Sequence, residues 1–285
     1  MYVGILTHTT DTELLKYKME RYASYGYTAI DYHGYSDPTK AVYDLPENEF
    51  EALMRRNGDV IRGAGLFLSQ THAPFRAMRY PLEERVLALT RMKAGIRATA
   101  YLGCADMVAH PLQPLGKEDG NAAAVWAINA EFYGRMADYA KEFGVNICLE
   151  NMPFPGQSQA SVPNTLRLIH DVGRDNIGFC LDTGHALVTG DDLGDAVRLG
   201  IKEKRFVLHV HDNDGKIDQH LFPGKGVGDW KKFAQALHDA GFDGSMSLET
   251  KVKPENFKDP SPDVIDAAER ELFAQAKAIA ENKVE

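Results

Sequence analysis

Short apolar runs alternate with longer amphipathic stretches along the whole 285-residue chain. Runs of three to six residues that end beside a polar side chain are typical of buried strands. The pattern predicts eight strands, at Val3–Thr7, Thr28–Asp31, Leu66–Gln70, Met107–Ala109, Val145–Leu149, Ile177–Leu181, Arg205–Val210 and Ser245–Leu248.

The stretches between these strands have helical periodicity. Asn121–Phe143 carries apolar side chains at three- and four-residue steps, and Pro262–Lys283 is a second such stretch. Strands that alternate with helices imply a parallel sheet, and eight such units predict a closed (β/α)₈ TIM barrel. We therefore expect a single domain over residues 1–285. A doubly wound open sheet is the alternative, but the chain contains no G-x-G-x-x-G sequence to support it.

The residues just after the ends of the predicted strands are all of the kind that bind metals or move protons. In chain order they are His8, His33, His72, His110, Glu150, Asp182, His211 and Glu249. The carboxyl ends of the strands in this fold meet at one mouth of the barrel, where catalytic residues lie. The sequence therefore predicts one pocket surrounded by imidazoles and carboxylates.

Side chains two positions apart share one face of a strand. Glu150 should therefore share its face with Cys148 and Asn146, while Ile147 and Leu149 point toward the helices. The same alternation places Asp182 with Cys180 and Gly178, His211 with His209, and Glu249 with Ser247. The inward face is thus small or polar. We interpret the three cysteines, Cys104, Cys148 and Cys180, as packing residues rather than ligands or nucleophiles.

Net charge, the length of the apolar runs and the cysteine content limit the classes of protein to which the chain can belong. A net charge of −9 weighs against binding to nucleic acid, and no apolar run is long enough to cross a membrane. The N-terminus resembles a first strand rather than a signal peptide, and three cysteines without C-x-x-C spacing favour a reducing compartment. From these features we expect a cytoplasmic protein that acts on a small molecule. A homo-oligomer is possible.

Four of the strand-end residues form a set that suits a divalent cation. They are Glu150, Asp182, His211 and Glu249. Three carboxylates and one imidazole favour Mn²⁺, with Mg²⁺, Co²⁺ and Zn²⁺ as alternatives. Such a cation would polarise a substrate carbonyl, so that Glu150 and Glu249 could act as acid and base through an enediolate.

The segments ICLENMP, GFCLDTGHA, LHVHDNDG, DQHLFPGKG and MSLET resemble the xylose isomerase-like barrel superfamily, in particular the sugar phosphate isomerase/epimerase group, which shares its fold with endonuclease IV. The resemblance runs from about residue 71 to MSLET. By comparison with ketose 3-epimerases it implies that Glu150, Asp182, His211 and Glu249 hold a metal. It also implies that the two glutamates move protons and that His185 contacts the substrate.

The sequence departs from the ketose 3-epimerases at one position. Those enzymes carry an arginine six residues after the metal-binding histidine, where this chain has Ile217. The substrate therefore stays open, and elimination from a keto-sugar or inosose by a dehydratase or lyase would use the same residues. A non-catalytic metal-binding subunit of a complex is a further alternative.

Endonuclease IV is an alternative of another class, because all of its zinc-ligand types have counterparts here. They are His72, His110, Glu150, Asp182, His185, His211, Asp218, His220 and Glu249. The acidic net charge weighs against a nuclease. We assign His72, His110, Asp218 and His220 to substrate binding, with metal binding as the alternative. Asp218 and His220 belong to the segment HVHDNDGKIDQH and should fold back over the pocket.

Three rim loops are expected to set specificity: residues 72–81, 152–157 and 222–230. Phe75, Phe154 and Trp230 are candidates to pack on the apolar face of a sugar, or else they anchor the loops. Arg76, Arg79 and Lys225 are candidates for an anionic group, or else they are solvated surface charges. No glycine-rich phosphate cradle is evident near the last two strands, which favours an unphosphorylated sugar or derivative.

Overall fold

Eight parallel strands pair with their neighbours in chain order, and the eighth pairs with the first to close a barrel. The structure is a computed structural model that describes residues 1–74, 82–114, 119–258 and 260–284. The strands are β1 Tyr2–Thr7, β2 Ala29–Tyr32, β3 Phe67–His72, β4 Asp106–Ala109, β5 Asn146–Glu150, β6 Ile177–Asp182, β7 Phe206–Val210 and β8 Ser245–Leu248. The predicted (β/α)₈ barrel is confirmed, and the predicted strand ends differ from the observed ones by at most two residues.

Helices surround the barrel. Within the described ranges they are α1 Thr12–Tyr25, α2 Glu47–Gly63, α3 Leu82–Leu102, α4 Ala122–Lys141, α5 Val162–Val172, α6 Thr183–Thr189, α7 Leu193–Gly200, α8 Trp230–Asp239 and α9 Pro262–Ala280. Two short 3₁₀ helices lie at Ala41–Asp44 and Pro254–Asn256. The two helices predicted from periodicity are α4 and α9. Helix α4 begins one residue later and ends two residues earlier than predicted, and α9 begins as predicted and ends three residues earlier.

Local sequence signals set the helix ends. The Asn121 side chain accepts a hydrogen bond from Ala124 N and caps α4, and Asp11 caps α1 in the same way. Helix α9 begins with Pro262, where a missing amide hydrogen costs nothing. Gly26 ends α1 with a φ of 104°, a conformation that a side chain would disfavour.

The strands divide the apolar residues into an outer layer and a small inner group. Ile147, Leu149, Phe179 and Leu181 belong to the main core between the barrel and the helices. Val108, Cys148 and Cys180 form a separate buried cluster against Val207, as expected for side chains that point into the barrel. The predicted alternation is thus observed on β5 and β6. Cys104 lies in the main core, and all three cysteines are buried free thiols, which fits a packing role.

Helix length and hydropathy also bear on membranes. In the ranges that the structure describes, none of the helices combines the length and the apolar character that a membrane crossing requires.

Candidate active site

The predicted strand-end residues surround one mouth of the barrel. Each is the last residue of its strand or the next residue in the chain, as the bounds of β1 to β8 show. His8 is exposed, whereas His33, His72, Glu150, Asp182 and His211 are buried. Glu249, His110, His220 and Asp218 keep partly exposed side chains, at 17%, 25%, 32% and 28%. These four therefore line the entrance to the buried residues.

Asp182 and His211 form the first contact of the predicted metal set. His211 Nε2 lies 3.0 and 3.1 Å from the two carboxylate oxygens of Asp182. Thr183 fixes the backbone of His211, because its hydroxyl donates to His211 O and accepts from His211 N. A Cβ atom at Gly184 would lie 1.9 Å from His211 Cε1, so only glycine fits beside the ring.

Glu150 and Glu249 form the second part of that set. They come from β5 and β8, and both approach one buried ring: His209 Nδ1 lies 3.1 Å from Glu150 Oε1 and 3.0 Å from Glu249 Oε2. The four predicted ligands therefore fall into two groups, one around His209 and one at Asp182 and His211.

His185 connects these two groups. Its Nδ1 lies 3.4 Å from Glu150 Oε1 and 3.6 Å from Asp182 Oδ1, and it donates a 2.8 Å hydrogen bond to Asn151 O. Asp182 also caps α6, since its Oδ1 accepts from His185 N. Asn151 binds the end of β6 through a pair of hydrogen bonds to the Asp182 backbone. The L-E-N and D-T-x-H segments thus hold each other in register.

The loop after β7 returns Asp218 and His220 to the pocket, as predicted. Asp218 Oδ2 lies 3.3 Å from His185 Nε2 and 3.1 Å from His220 Nε2, and Asp218 Oδ1 lies 3.6 Å from His211 Nε2. The His220 ring stacks on His211 with centroids 4.1 Å apart. His220 has a φ of 51°, and its Nδ1 donates to Glu249 O. This uncommon backbone conformation is held by contacts to β8.

His72 and His110 lie on the opposite side of Glu150. His110 Nε2 is 3.1 Å and His72 Nε2 is 3.5 Å from Glu150 Oε2. His72 Nδ1 donates to Ala73 O. The ligand atoms of these three residues lie within 4.8 Å of one another, as do those of Asp182, His185 and His211, and those of His211, Asp218 and His220.

Trp230 occupies a different place from the one expected of a sugar-packing residue. Its side chain is buried, with the residue only 4% exposed, and its indole Nε1 donates a 2.8 Å hydrogen bond to Asp212 Oδ2. This position agrees with the alternative predicted for Trp230, a loop anchor, and its contact with substrate remains a prediction. Exposure in a loop depends on tertiary packing, which residue type alone does not reveal.

The other candidates from the rim loops differ in their exposure and contacts. Phe154 is half-buried in the loop after β5, and its proposed contact with substrate remains a prediction. Lys225 Nζ lies 3.0 Å from Glu271 Oε1 in an exposed ion pair, in agreement with a surface charge. Phe75, Arg76 and Arg79 lie outside the described residues.

The electrostatics of the site favour ionised carboxylates. Burial raises the pKa of Glu150 and of Glu249, but His209, together with His110 for Glu150 and His33 for Glu249, more than offsets this effect, so both pKa values lie well below the usual range. Burial lowers the pKa of His185, yet Asp182, the hydrogen bond with Asp218 and the charge of Glu150 raise it to about 10. Burial lowers the pKa of His110, which favours the neutral ring that a metal requires.

Several buried atoms in the described part of the chain fit a divalent cation. Glu150 Oε2 and Glu249 Oε2 are each shielded from solvent and have no hydrogen bond of favourable geometry, although histidine nitrogens lie 3.0–3.1 Å away. Leaving a buried polar atom without a hydrogen bond costs about 1–3 kcal/mol. A cation bound by these carboxylates would remove that cost, so the residues present suit the predicted metal.

Asp31, a buried residue on β2, also belongs to the site, although no role was predicted for it from the sequence. Its Oδ2 lies 2.9 Å from His209 Nε2, and its Oδ1 lies 3.0 Å from His33 Nε2. The signal was present in the sequence, because Asp31 precedes the strand-end residue His33 by two positions and so shares its face. Its partner His209 lies 178 residues away, and only the closed barrel brings the two together.

The family of the chain follows from its similarity to known proteins. The model of the family described as xylose isomerase-like TIM barrel matches residues 19–273. The chain belongs to the xylose isomerase-like TIM barrel family. The resemblance inferred from the strand-end segments is thereby confirmed.

Three curated relatives match parts of the chain. An uncharacterised protein of Methanocaldococcus jannaschii is 29% identical over 63% of this chain and 63% of its own length. D-psicose 3-epimerase of Agrobacterium fabrum is 30% identical over 50% of this chain and 45% of its own length. Inosose isomerase of Bacillus subtilis is 25% identical over 64% of this chain and 66% of its own length. The chain thus spans less than two thirds of the length of each of these relatives.

Solved structures match the xylose isomerase-like barrel over nearly its whole length. A D-tagatose 3-epimerase-like protein has a TM-score of 0.74 at 22% identity and covers 100% of both chains. A D-psicose 3-epimerase in the presence of D-fructose has a TM-score of 0.75 at 18% identity, with 98% of this chain and 99% of the other covered. The IOLI protein with a bound zinc atom has a TM-score of 0.70 at 19% identity, with 99% and 98% covered. At these identities the similarity shows the fold alone.

Proposed function

We propose that this protein is a divalent-metal-dependent sugar isomerase or epimerase in which Glu150 and Glu249 move protons beside the sugar carbonyl. The observation that carries the proposal is the approach of both glutamates, from β5 and β8, to one ring nitrogen of His209. The relatives named D-psicose 3-epimerase and inosose isomerase support the same class of reaction.

A divalent cation would be held by Glu150, Asp182, His211 and Glu249, and when bound it would supply Lewis acidity to the carbonyl oxygen and its neighbouring hydroxyl. We propose Mn²⁺, because three carboxylates and one imidazole form an oxygen-rich set. The zinc atom bound to the IOLI protein makes Zn²⁺ the second ion to test.

The two glutamates would divide the proton transfers between them. One carboxylate takes the proton from the carbon beside the carbonyl, and the C–H electron pair moves into the enediolate. The other returns a proton. Return on the opposite face of the same carbon gives an epimer, and return to the adjacent carbon gives the aldose or ketose isomer. Loss of a β-hydroxyl from the same species would make the protein a dehydratase or lyase.

We propose that the substrate is an unphosphorylated sugar or sugar derivative. Lys225, the basic residue of the 222–230 loop, is paired with Glu271 in an exposed ion pair. Ile217 is 60% exposed at the position where the ketose 3-epimerases carry an arginine. His185, His72 and His110 would contact the hydroxyl groups of the sugar, and Asp218 and His220 would cover it from the mouth.

Solvent exchange provides the test. The protein is loaded with Mn²⁺ and incubated in D₂O with a panel of ketoses, keto-sugars and inososes, and products are followed by NMR. We expect deuterium at the carbon beside the carbonyl of one substrate class, and neither exchange nor metal retention in Asp182→Ala. Metal binding by the parent chain without exchange on any sugar, followed by turnover after addition of a partner protein, would instead favour a subunit of a complex.

A second candidate, an endonuclease IV-like zinc phosphodiesterase, is favoured by one observation. His72, His185 and His220 each donate Nδ1–H to a backbone carbonyl, which leaves Nε2 directed at carboxylates. Metal-binding histidines are commonly oriented in this manner. The net charge of −9 opposes binding to a polyanion. Three zinc ions per chain and incision of an abasic-site duplex would place this function first, whereas about one ion and no incision support the sugar enzyme.

A further inference from the structure

His209 lies at the centre of the site, although it is absent from the predicted metal set and from the proton transfers proposed above. Its side chain is fully buried. One nitrogen, Nδ1, lies 3.1 Å from Glu150 and 3.0 Å from Glu249. Glu150 is the last residue of β5 and Glu249 directly follows β8, and these two strands are not adjacent in the closed barrel. Hydrogen bonds between strands therefore do not fix the two carboxylates relative to each other, but both contact the same atom of His209.

The opposite nitrogen of the ring is held from across the barrel. His209 Nε2 lies 2.9 Å from Asp31 Oδ2, and Asp31 stands on β2. Gln70 Nε2 donates to that same oxygen at 2.9 Å and to Leu208 O at 3.2 Å. Leu208 is the residue before His209 on β7. The side chains of Asp31 and Gln70 thus connect β2 and β3 back to the strand that carries the histidine.

We propose that His209 is a positioning residue that fixes Glu150 and Glu249 relative to each other, and that Asp31, held by Gln70, fixes the His209 ring. This inference rests on the roles of the two glutamates in the proposed function. Rotation of the ring would break the contact with Asp31 and both contacts with the glutamates. The orientation of the ring is consequently determined at both nitrogens before any cation or sugar binds.

Loss of this positioning should change the reaction rate and the metal affinity more than the free energy of unfolding. Reacting groups misplaced by about 1 Å lose about 10²-fold in rate. Side chains that orient metal ligands change affinity by about 10–100-fold when they are removed. Without His209, the Glu249 side chain, which is 17% exposed, would lose the contact that it shares with Glu150.

Two substitutions of His209 test its two ring nitrogens, Nδ1 and Nε2, separately. An asparagine amide occupies nearly the place of a histidine Nδ1, and a glutamine amide occupies nearly the place of Nε2. His209→Asn therefore keeps a donor beside the glutamates and loses the contact with Asp31. His209→Gln keeps the contact with Asp31 and loses both contacts with the glutamates. Asp31→Asn tests the same connection from the other side. Val207→Ala is the matched control, because Val207 is on the same face of β7 and packs against the inner cysteine cluster.

The experiment compares crystal structures, Mn²⁺ affinity by calorimetry and the visible spectrum of the Co²⁺-loaded protein. All three readouts are independent of any sugar, so failure to find a substrate would count against the proposed function and not against this inference. In His209→Gln we expect the Glu249 carboxylate to move by about 1 Å or more. We also expect a roughly 10–100-fold weaker Mn²⁺ affinity and an altered Co²⁺ spectrum.

His209→Asn should lie closer to the parent protein in each readout, and Val207→Ala should lower the melting temperature while leaving affinity and spectrum unchanged. The inference is overturned if both glutamates superpose on the parent positions in His209→Gln. It is equally overturned if His209→Gln and Asp31→Asn lose only stability and keep the parental affinity and spectrum. If His209→Gln does not fold, Asp31→Asn gives the decisive comparison. If the parent binds no metal, the crystal structures alone decide.

Discussion

The indole of Trp230 donates a 2.8 Å hydrogen bond to the carboxylate of Asp212, and this contact closes the loop between β7 and α8. Four backbone amides donate to the same buried carboxylate, those of Asn213, Gly224, Gly226 and Gly228. A Cβ atom at Gly226 would lie 2.1 Å from Asn213 O, so a side chain there would open the loop. The loop around Asp212 also contains Asp218 and His220, so Asp212 supports that side of the mouth.

Replacement of Asp212 by asparagine should therefore destabilise the protein and loosen the mouth. The amide would direct N–H groups at donors, and hydrogen bonds to a charged group contribute about 1.5–3 kcal/mol each. We expect the free energy of unfolding in urea to fall by roughly 2–3 kcal/mol. Asp214→Asn is the control, because Asp214 is exposed in the same loop and accepts from Lys216 N and Ile217 N. Equal losses in the two variants would contradict the central role of Asp212.

The sequence indicated much of this arrangement, for physical reasons that particular residues make clear. The alternation on β5 placed Cys148 and Glu150 inside and Leu149 outside, because a strand has a strict period of two. The meeting of Asp31 with His209 was not predictable, since it depends on how β2 faces β7 across the closed barrel. The burial of Trp230 was not predictable either, because it depends on the contact with Asp212, and no spacing rule connects the two residues.

Gly184→Ala tests the close approach of α6 to His211. The added methyl carbon would lie 1.9 Å from His211 Cε1 and would displace a ring that Thr183 holds by its backbone. Overpacking of this kind costs about 1–3 kcal/mol. We expect a lower melting temperature together with weaker Mn²⁺ binding, measured by calorimetry. Gly63→Ala is the control, because a Cβ atom at Gly63, the last residue of α2, meets nothing within 4 Å. Unchanged Mn²⁺ affinity in Gly184→Ala would show that His211 tolerates the shift.

Glu150→Gln and Glu249→Gln distinguish metal binding from proton transfer. Glutamine keeps the shape and one oxygen of the side chain but removes the basic carboxylate, so saturating Mn²⁺ should restore occupancy. Turnover should stay about 10²–10⁴-fold lower, since a general acid or base is missing. If the two residues act on opposite faces of the sugar, one variant should still exchange a substrate proton with solvent.

The measurement for these variants pairs elemental analysis with initial rates at saturating metal, using the substrate found in the D₂O experiment. Glu142→Gln, at an exposed position after α4, should behave like the parent protein. Recovery of near-parental rates in both glutamine variants would show that Glu150 and Glu249 are ligands only, and the assignment as proton carriers would fail.

Glu269 on α9 predicts a pH dependence of stability that is independent of the active site. Its Oε2 is buried without a hydrogen bond in the described structure, and burial raises its pKa although Arg21 opposes this effect. A carboxyl group whose pKa is raised on folding stabilises the folded state below its unfolded pKa of about 4.3, and this contribution is lost as the pH rises through the folded pKa. Glu269→Gln should therefore raise the melting temperature at pH 7 and leave it nearly unchanged at pH 4. Glu271→Gln, on the same helix, removes the exposed ion pair with Lys225 and should produce no such gain. A melting temperature for Glu269→Gln that is lower than the parental value at pH 7 would show that the ionised carboxylate is stabilised by Arg21 instead.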